Sequence, residues 1–450
     1  MIKMVVRAAT SGKKGVLRTF LFILCVVLAA AVLIYCFIVQ RPADNTFDLP
    51  DARKILYSLV VEDSTGKPLA NKKIRVRQLR QEFLIYNSDF FQNFIWMETS
   101  DEKFLSHNLK AQLTEDDVIK AFKLDRIAAE KKLDMYLDLR IPVSTTENLT
   151  LEEYAAVEFK ALETYGRAFK KAGVSPDYVH VLNEFNQKMV IRLKFFDIDK
   201  NMDFVVKYLA KTRELFPKAK ISIDLGGLEY IEENEKIPNG PNTIHEVKIG
   251  LAPTHIKFIE LLNERNASYD ILGMEYQAAI LWPYDFDTFK EFMGRIESFG
   301  KPIFLWEYWV PTSADLHKSH PFFGIIDYFL PPGGLSEEYQ ADFIEKTLEH
   351  INNNSLYVGL NQFGYKDGVE GNPSSEYDGG LLRADGSKKS AYFIMEKWYK
   401  SWFAEYDLVT DASGKIEFYG LPGRYRLSKG PFNKVEIELT AQENEVRVTM

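Results

Sequence analysis

The stretch "YVHVLNEFN", Tyr178–Asn186, lies near the middle of the 450-residue chain, and its reading decides the fold. An apolar strand, "YVHVL", stops on an amide and a carboxylate, Asn183 and Glu184. Burying an unpartnered carboxylate is costly, so the end of this strand is expected to face a site rather than a core.

The same arrangement recurs on both sides. Apolar strand candidates are "EFLIY" (82–86), "MYLDLRI" (135–141), "KISIDL" (220–225), "YDILGM" (269–274), "PIFLW" (302–306) and "LYVGLNQF" (356–363). Stretches of helical period separate them, among them "LEEYAAVEFKALETYGRAFKKA", "MDFVVKYLAKTREL", "FDTFKEFMGRIESF" and "YQADFIEKTLEHI". An eighth strand belongs between residues 92 and 115, where no pattern marks it. Such alternation means either a doubly wound sheet or a closed (β/α)8 TIM barrel. No glycine-rich phosphate loop follows the first strand, which removes support from nucleotide-binding open sheets. A barrel is therefore expected over residues 80–404.

In a barrel the acting residues stand just past the C-terminal strand ends. Asn183 and Glu184 then face substrate, "PIFLW" exits into Glu307 beside Trp306, Tyr308 and Trp309, and "YDILGM" exits into Glu275 and Gln277. Converging acids require a metal, basic partners or a shared proton. Two carboxyls about 5–5.5 Å apart are what retaining glycoside hydrolysis uses, one protonated as acid and one ionised as nucleophile. Their mutual repulsion drives the two pKa values apart.

The ends have other characters. The run Thr19–Val39 carries no charge, and at 1.5 Å per residue it spans about 31 Å, one hydrocarbon thickness. Lys3, Arg7, Lys13, Lys14 and Arg18 precede it, whereas Arg41 is followed by Asp44, Asp48 and Asp51. The expectation is a cytoplasmic segment (1–18), an uncleaved transmembrane signal anchor (19–39), a linker (40–54) and an extracytoplasmic remainder, periplasmic or extracellular. A cleaved signal peptide is the competing reading, less suited to so long an apolar region. Both cysteines, Cys25 and Cys36, lie in this run, so the exported part forms no internal disulfide. The net charge of −8 includes +5 from the leading basic residues, leaving −8 − 5 = −13 on the exported part. That argues against nucleic acid and anionic polymers as partners.

Residues 55–79 and 405–450 both read as strands and turns, with "DSTGKPL" and "DASGK" marking turns. "VEDSTGKPLANKKIRV" and "TDASGKIEFYGLPGRYRL" resemble the two halves of a carboxypeptidase-regulatory-like β-sandwich, which implies one domain with the barrel inserted. Two separate hairpins packed on the barrel are the alternative.

The middle carries a second resemblance. An Asn-Glu pair after one strand and a Glu after a later one is similar to clan A glycoside hydrolases. The order of "YVHVLNEFN", "ILGMEYQ", "GKPIFLWEYWV", "YVGLNQFGYKDG" and "GGLLRADGSKKSAYFIMEKWY" most resembles family 10 endo-xylanases, over roughly residues 130–404. That resemblance implies Glu184 as acid/base, Glu307 as nucleophile and Asn183 as a hydrogen-bonding partner of the sugar hydroxyl beside the reacting carbon. The chain departs from it where Gln277 replaces a His and Glu275 a Gln, where "MYLDLRIP" lacks the His and Trp of an "HTLVWH"-like strand, and where Phe363 replaces a Trp. Asp138 and Arg140 then either contact sugar or pair with each other. The residues expected to touch substrate are Asn183, Asn186, Glu275, Gln277, Trp306, Tyr308, Trp309, Trp282, Phe363, Asp138 and Arg140, the aromatics as stacking faces or as packing.

Other signals are weak. "DIDKNMD" (Asp197–Asp203) lacks the Gly and closing Glu of a calcium loop, His180 reads as a core residue, and no G-x-S-x-G elbow is present. Sequons occur at Asn148, Asn266 and Asn353. No metal or cofactor is expected. The partner expected is a polysaccharide or oligosaccharide, with the membrane held through the N-terminal helix. A non-catalytic tethered glycan receptor and an envelope-polysaccharide processing factor are the alternatives. Oligomeric state is not encoded legibly.

Overall fold

The computed structural model describes residues 53–86, 94–97, 102–129, 136–144, 149–186, 197–226, 255–277, 285–313, 334–369, 378–442 and 445–450. The apolar run at 19–39 and Trp282 lie outside them. Among the described residues no helix is long and apolar enough to cross a membrane.

Eight strands form the central sheet: β3 (Leu84–Tyr86), β4 (Phe94–Met97), β5 (Tyr136–Arg140), β6 (Tyr178–Val181), β7 (Lys220–Leu225), β8 (Ile271–Gln277), β9 (Ile303–Trp309) and β10 (Tyr357–Gln362). Their order is β3-β10-β9-β8-β7-β6-β5-β4, and every ladder is parallel. The strand sought between residues 92 and 115 is β4, "FIWM". In a flat sheet β5 and β9, four strands apart, would be about 19 Å from each other. Instead Arg140 of β5 reaches Glu307 of β9 at 3.4 Å, and Tyr136, Ile271, Phe304 and Trp306 share one buried cluster. The sheet is therefore curled around its own interior, and its edge strands β3 and β4 touch.

The crossovers carry α1 (Glu102–Leu105), α2 (His107–Lys110), α3 (Glu115–Ala121), α4 (Leu124–Ala129), α5 (Leu151–Ala172), α6 (Ile198–Leu215), α7 (His255–Glu264), α8 (Phe286–Glu297) and α9 (Glu337–Asn352), with α10 (Ser390–Trp402) following β10. Local chemistry sets their ends. Thr150 and Glu153 form a reciprocal capping box on α5, which stops at Gly173 in the left-handed region (φ 68°). Asp197 caps α6 by accepting from the Lys200 amide, so the acids of "DIDKNMD" open a helix. A fully buried ion pair, Lys110 to Glu158 at 2.6 Å, ties α2 to α5. Lys110 also donates to the Pro142 carbonyl, and Glu158 accepts from the Ser144 amide, fixing the exit of β5.

On β8 the ring of Tyr276 packs outward on Phe289 of α8 and Phe343 of α9. The period of two then turns Ile271, Gly273, Glu275 and Gln277 inward. Gly273 has no alternative there, since a Cβ would lie 2.4 Å from Trp306 Cδ1 and 2.5 Å from the Ile223 carbonyl.

The flanking segments pair with each other. β1 (Ile55–Glu62) lies between β12 (Lys415–Gly420) and β15 (Glu445–Thr449), antiparallel to the first and parallel to the second. β2 (Lys73–Gln81) lies between β11 (Glu405–Val409) and β13 (Gly423–Lys429), with β14 (Asn433–Leu439) outermost. The two sheets share one core, in which Tyr57, Leu59, Val61, Ile74 and Val76 meet Ile416, Phe418, Tyr425 and Leu427.

Candidate active site

Four strands, β5, β7, β8 and β9, and the turn after the intervening β6 bring polar side chains together at the C-terminal end of the curled sheet. Arg140 is the last residue of β5. Asn183 and Glu184 form the turn after β6, Asp224 is the inward residue near the end of β7, and Glu275 and Glu307 come from β8 and β9.

The β6 turn is held in an unusual backbone. Leu182 (φ 59°) and Glu184 (φ 50°) are both left-handed, a conformation that costs a non-glycine residue of order 1–3 kcal/mol and persists only where neighbours enforce it. The enforcing contacts are the Glu184 amide on the Asp224 carbonyl at 2.9 Å and the Phe185 amide on the Leu182 carbonyl at 3.0 Å. Asn186 completes the tie: its Oδ1 accepts from the Gly226 amide at 3.1 Å and its amide donates to the Gly226 carbonyl at 3.5 Å. Asn186, expected to touch substrate, thus spends both amide groups joining the β6 turn to the end of β7.

Glu307 owes its inward aim to a bulge. Leu305 to Tyr308 on β9 stands opposite Met274 to Tyr276 on β8 and Leu360 to Gln362 on β10. The strand therefore carries one extra residue against both neighbours, which re-aims consecutive side chains. Trp306 and Glu307 both point inside, whereas Tyr308 turns outward and its hydroxyl meets Thr347 Oγ1 of α9 at 3.0 Å. Trp306 stacks on Phe304 at 4.0 Å, meets the His180 ring edge-on at 4.2 Å and donates to Ser222 Oγ at 3.3 Å. Trp306, Tyr308 and Trp309 are buried, at 3%, 0% and 1% exposure. The expected stacking faces at Trp306 and Tyr308 are thus packing: the first fills the space above Gly273 and the second is sheet-to-helix contact. Phe363 is half-buried just past β10, its amide donating to the Tyr308 carbonyl at 2.9 Å.

Electrostatics bind the cluster. One oxygen from each of Asp224, Glu275 and Glu307 lies within 4.8 Å of the others, a set whose spacing suits a metal ion. Positive charge is already present there: the Arg140 guanidinium is 3.4 Å from Glu307 and 3.6 Å from Asp224, and it also donates to Asn183 Oδ1. Arg140 thus reaches across to these groups, while Asp138 lies buried lower on β5. His180 Nε2 lies 3.4 Å from Asp224 Oδ2. Burial is the largest influence on Glu307, pushing it up to about 7; Arg140 opposes the shift, and Asp224 and Glu184 add to it. Glu275 is held well above the ordinary carboxylate range by burial first and then by Glu307, Glu184 and Asp224. Gln277 ends β8 half-buried beside Trp309.

Asp224 and His180 belong to this cluster and were not picked out from the sequence as site residues. The exit rule that selected Glu184 extends to Asp224, since "KISIDL" carries an inward acid one residue before its end.

No family model and no curated protein matches the chain. Among solved structures it is similar to native xylanase 10B from Thermotoga maritima, at 16% identity over 71% of this chain and 95% of that one, with a TM-score of 0.41. It is also similar to the Thermobacillus composti GH10 xylanase (14% identity, 68% and 89% covered, TM-score 0.42) and to a thermostable mutant of a xylanase (Xyn10A) from Cellvibrio japonicus (10%, 68% and 89%, 0.44). At these identities the chemistry of this chain rests on its own side chains.

Proposed function

We propose that this chain is a retaining glycoside hydrolase acting on β-linked polysaccharide, with Glu307 as nucleophile and Glu184 as acid/base. The observation that carries the reading is the convergence of Glu184, Asp224, Glu275 and Glu307 at one end of a parallel sheet, with the Arg140 guanidinium among them. Such a cluster holds its protons unequally, which is the condition for one carboxyl to give a proton while another attacks.

In the first step Glu184 delivers its proton to the glycosidic oxygen as a Glu307 oxygen bonds to the anomeric carbon and the leaving sugar departs. In the second, Glu184 takes a proton from water, and that water displaces Glu307 with overall retention. Arg140 favours the ionised form that Glu307 needs. Glu275, kept protonated, offers a hydrogen-bond donor next to the nucleophile where the family 10 resemblance places a Gln. Asn183, oriented by Arg140, is placed for the neighbouring sugar hydroxyl. No cofactor enters this scheme.

The wider arrangement is a proposal of the same kind. The curled sheet is a closed (β/α)8 barrel inserted in a carboxypeptidase-regulatory-like β-sandwich made of residues 55–79 and 405–450. The run 19–39 anchors it in the membrane with residues 1–18 cytoplasmic and the barrel extracytoplasmic.

Glu307→Ala is expected to abolish turnover of aryl β-glycosides, whereas Glu184→Ala keeps turnover of those with good leaving groups and regains rate with azide. Retained activity of Glu307→Ala would end the assignment. One observation favours a second reading, a tethered glycan receptor without chemistry: Arg140 stands directly on the nucleophile candidate. A wild-type chain that binds β-glycan yet turns over no aryl glycoside would establish that reading instead.

A further inference from the structure

The sheet β11-β2-β13-β14 buries one face in the shared core and leaves the other to solvent. On that outer face lies a groove of about 480 Å³, lined by Lys73, Arg75 and Arg77 of β2, Arg426 of β13 and Lys434 of β14, against the acids Glu405 and Asp407 of β11. Five cations face two anions in this lining, a local exception in a chain whose net charge of −8 argues against anionic polymers as general partners. Its origin is the pattern "KIRVR": Ile74 and Val76 are buried while Lys73, Arg75 and Arg77 project to one side, about 6.7 Å apart along the strand.

The acids do not neutralise the centre. Lys73 pairs with Asp407 at 3.4 Å, Arg75 with Glu405 at 2.5 Å, and Arg426 with Glu436 at 2.6 Å. Arg77 and Lys434 make no ion pair among the described residues. Arg77 is directly opposite Arg426 on one neighbouring strand and Glu405 on the other, but Glu405 is held by Arg75, and like charges placed as Arg77 and Arg426 are destabilise a sheet. An anion seated between the two guanidiniums reverses that cost. Guanidinium forks match planar carboxylates in a way that point-charge ammoniums do not. At the rim, in the turn joining β13 to β14, Phe432 is 97% exposed, an apolar face available to the C–H side of a sugar ring.

We propose that this groove binds the carboxylate groups of an acidic polysaccharide and holds the polymer on the chain at a site separate from the four-acid cluster. The choice of a polysaccharide among polyanions rests on the hydrolase reading; the binding itself requires no catalysis.

The test is native electrophoresis of the full chain, in a neutral detergent, through gels containing polygalacturonate or neutral xylan. Retardation is expected in polygalacturonate only, weakening as salt rises. Replacing Arg77 and Lys434 together by Gln is expected to weaken the apparent affinity about tenfold or more, the scale of losing charged hydrogen bonds, at a melting temperature equal to or above that of wild type. Arg77→Lys should recover part of the loss. Glu307→Ala should be retarded like wild type, so that failure of binding and failure of hydrolysis are read separately. Absence of retardation, equal retardation of wild type and the double variant, or stronger competition by phosphatidylglycerol micelles than by oligogalacturonate would each overturn the proposal, the last by assigning the face to lipid.

Discussion

Arg140→Gln isolates the charge that keeps Glu307 usable. Arg140 lies 3.4 Å from the Glu307 carboxylate, where an effective dielectric of about 20 gives an interaction of about 5 kcal/mol, or 3–4 pH units, as an upper limit. Opposite charges at this range shift carboxylates by about 1–3 units in practice. Glu307 stands at about 7, so about half of it is ionised at neutral pH; in the variant the value rises to about 8–10. The ionised fraction at pH 7 then falls to between about one in ten and one in a thousand, and kcat/KM falls about 5- to 500-fold with it. The assay is the pH dependence of kcat/KM on an aryl glycoside whose leaving group needs no proton from Glu184. The acid limb should move to higher pH, with activity returning on the alkaline side. Infrared absorption of the protonated carboxyl, persisting to higher pH than in wild type, gives the same answer without turnover. An activity loss with the limb unmoved would refute the reasoning and reduce Arg140 to a spacer between β5 and the β6 turn.

Further outcomes concern stability. Because the folded state raises Glu307 above its unfolded value, its favourable contribution is present below about pH 4.5 and is lost as pH rises through about 7. Glu307→Gln should therefore leave stability nearly unchanged at pH 4 and raise it by up to about 3 kcal/mol at pH 8, measured by urea unfolding; equal effects at both pH values would contradict the shift. Lys110→Met strands Glu158 in a site with no solvent access and should cost about 3–5 kcal/mol, seen as a lower urea midpoint at constant slope. Gly273→Ala sets a methyl against Trp306 and the Ile223 carbonyl and should cost about 1–3 kcal/mol or more, with a change in tryptophan fluorescence.

Where period and composition carry the signal, the sequence was legible. The strands from "MYLDLRI" to "LYVGLNQF" are buried runs separated by amphipathic helices, and both are visible one residue at a time. The exit rule then brought Glu184, Glu275 and Glu307 to one place. β4 escaped because a four-residue strand, Phe94–Met97, is too short to show a period. Trp306 and Tyr308 are packing for separate reasons: Trp306 fills the space above Gly273, whereas a single extra residue in β9 turns Tyr308 outward, and no alternation rule marks where a bulge falls. The left-handed backbone at Leu182 and Glu184 is likewise set by the β7 carbonyl of Asp224 rather than by local preference. Arg140 had two destinations open in the sequence, and its reach across to β9 depends on a curvature that only the assembled sheet supplies.

The pairing of the flanks has a consequence for biogenesis. Ile55 faces Gly420 across one ladder, and Ser58 faces Glu445 across the other. During vectorial synthesis β1 and β2 emerge before the eight-stranded sheet and wait, with bare backbone edges, until β11 to β15 have followed it. A chain cut before residue 405 therefore leaves two adhesive strands without mates, so residues 405–450 decide whether both flanking sheets close.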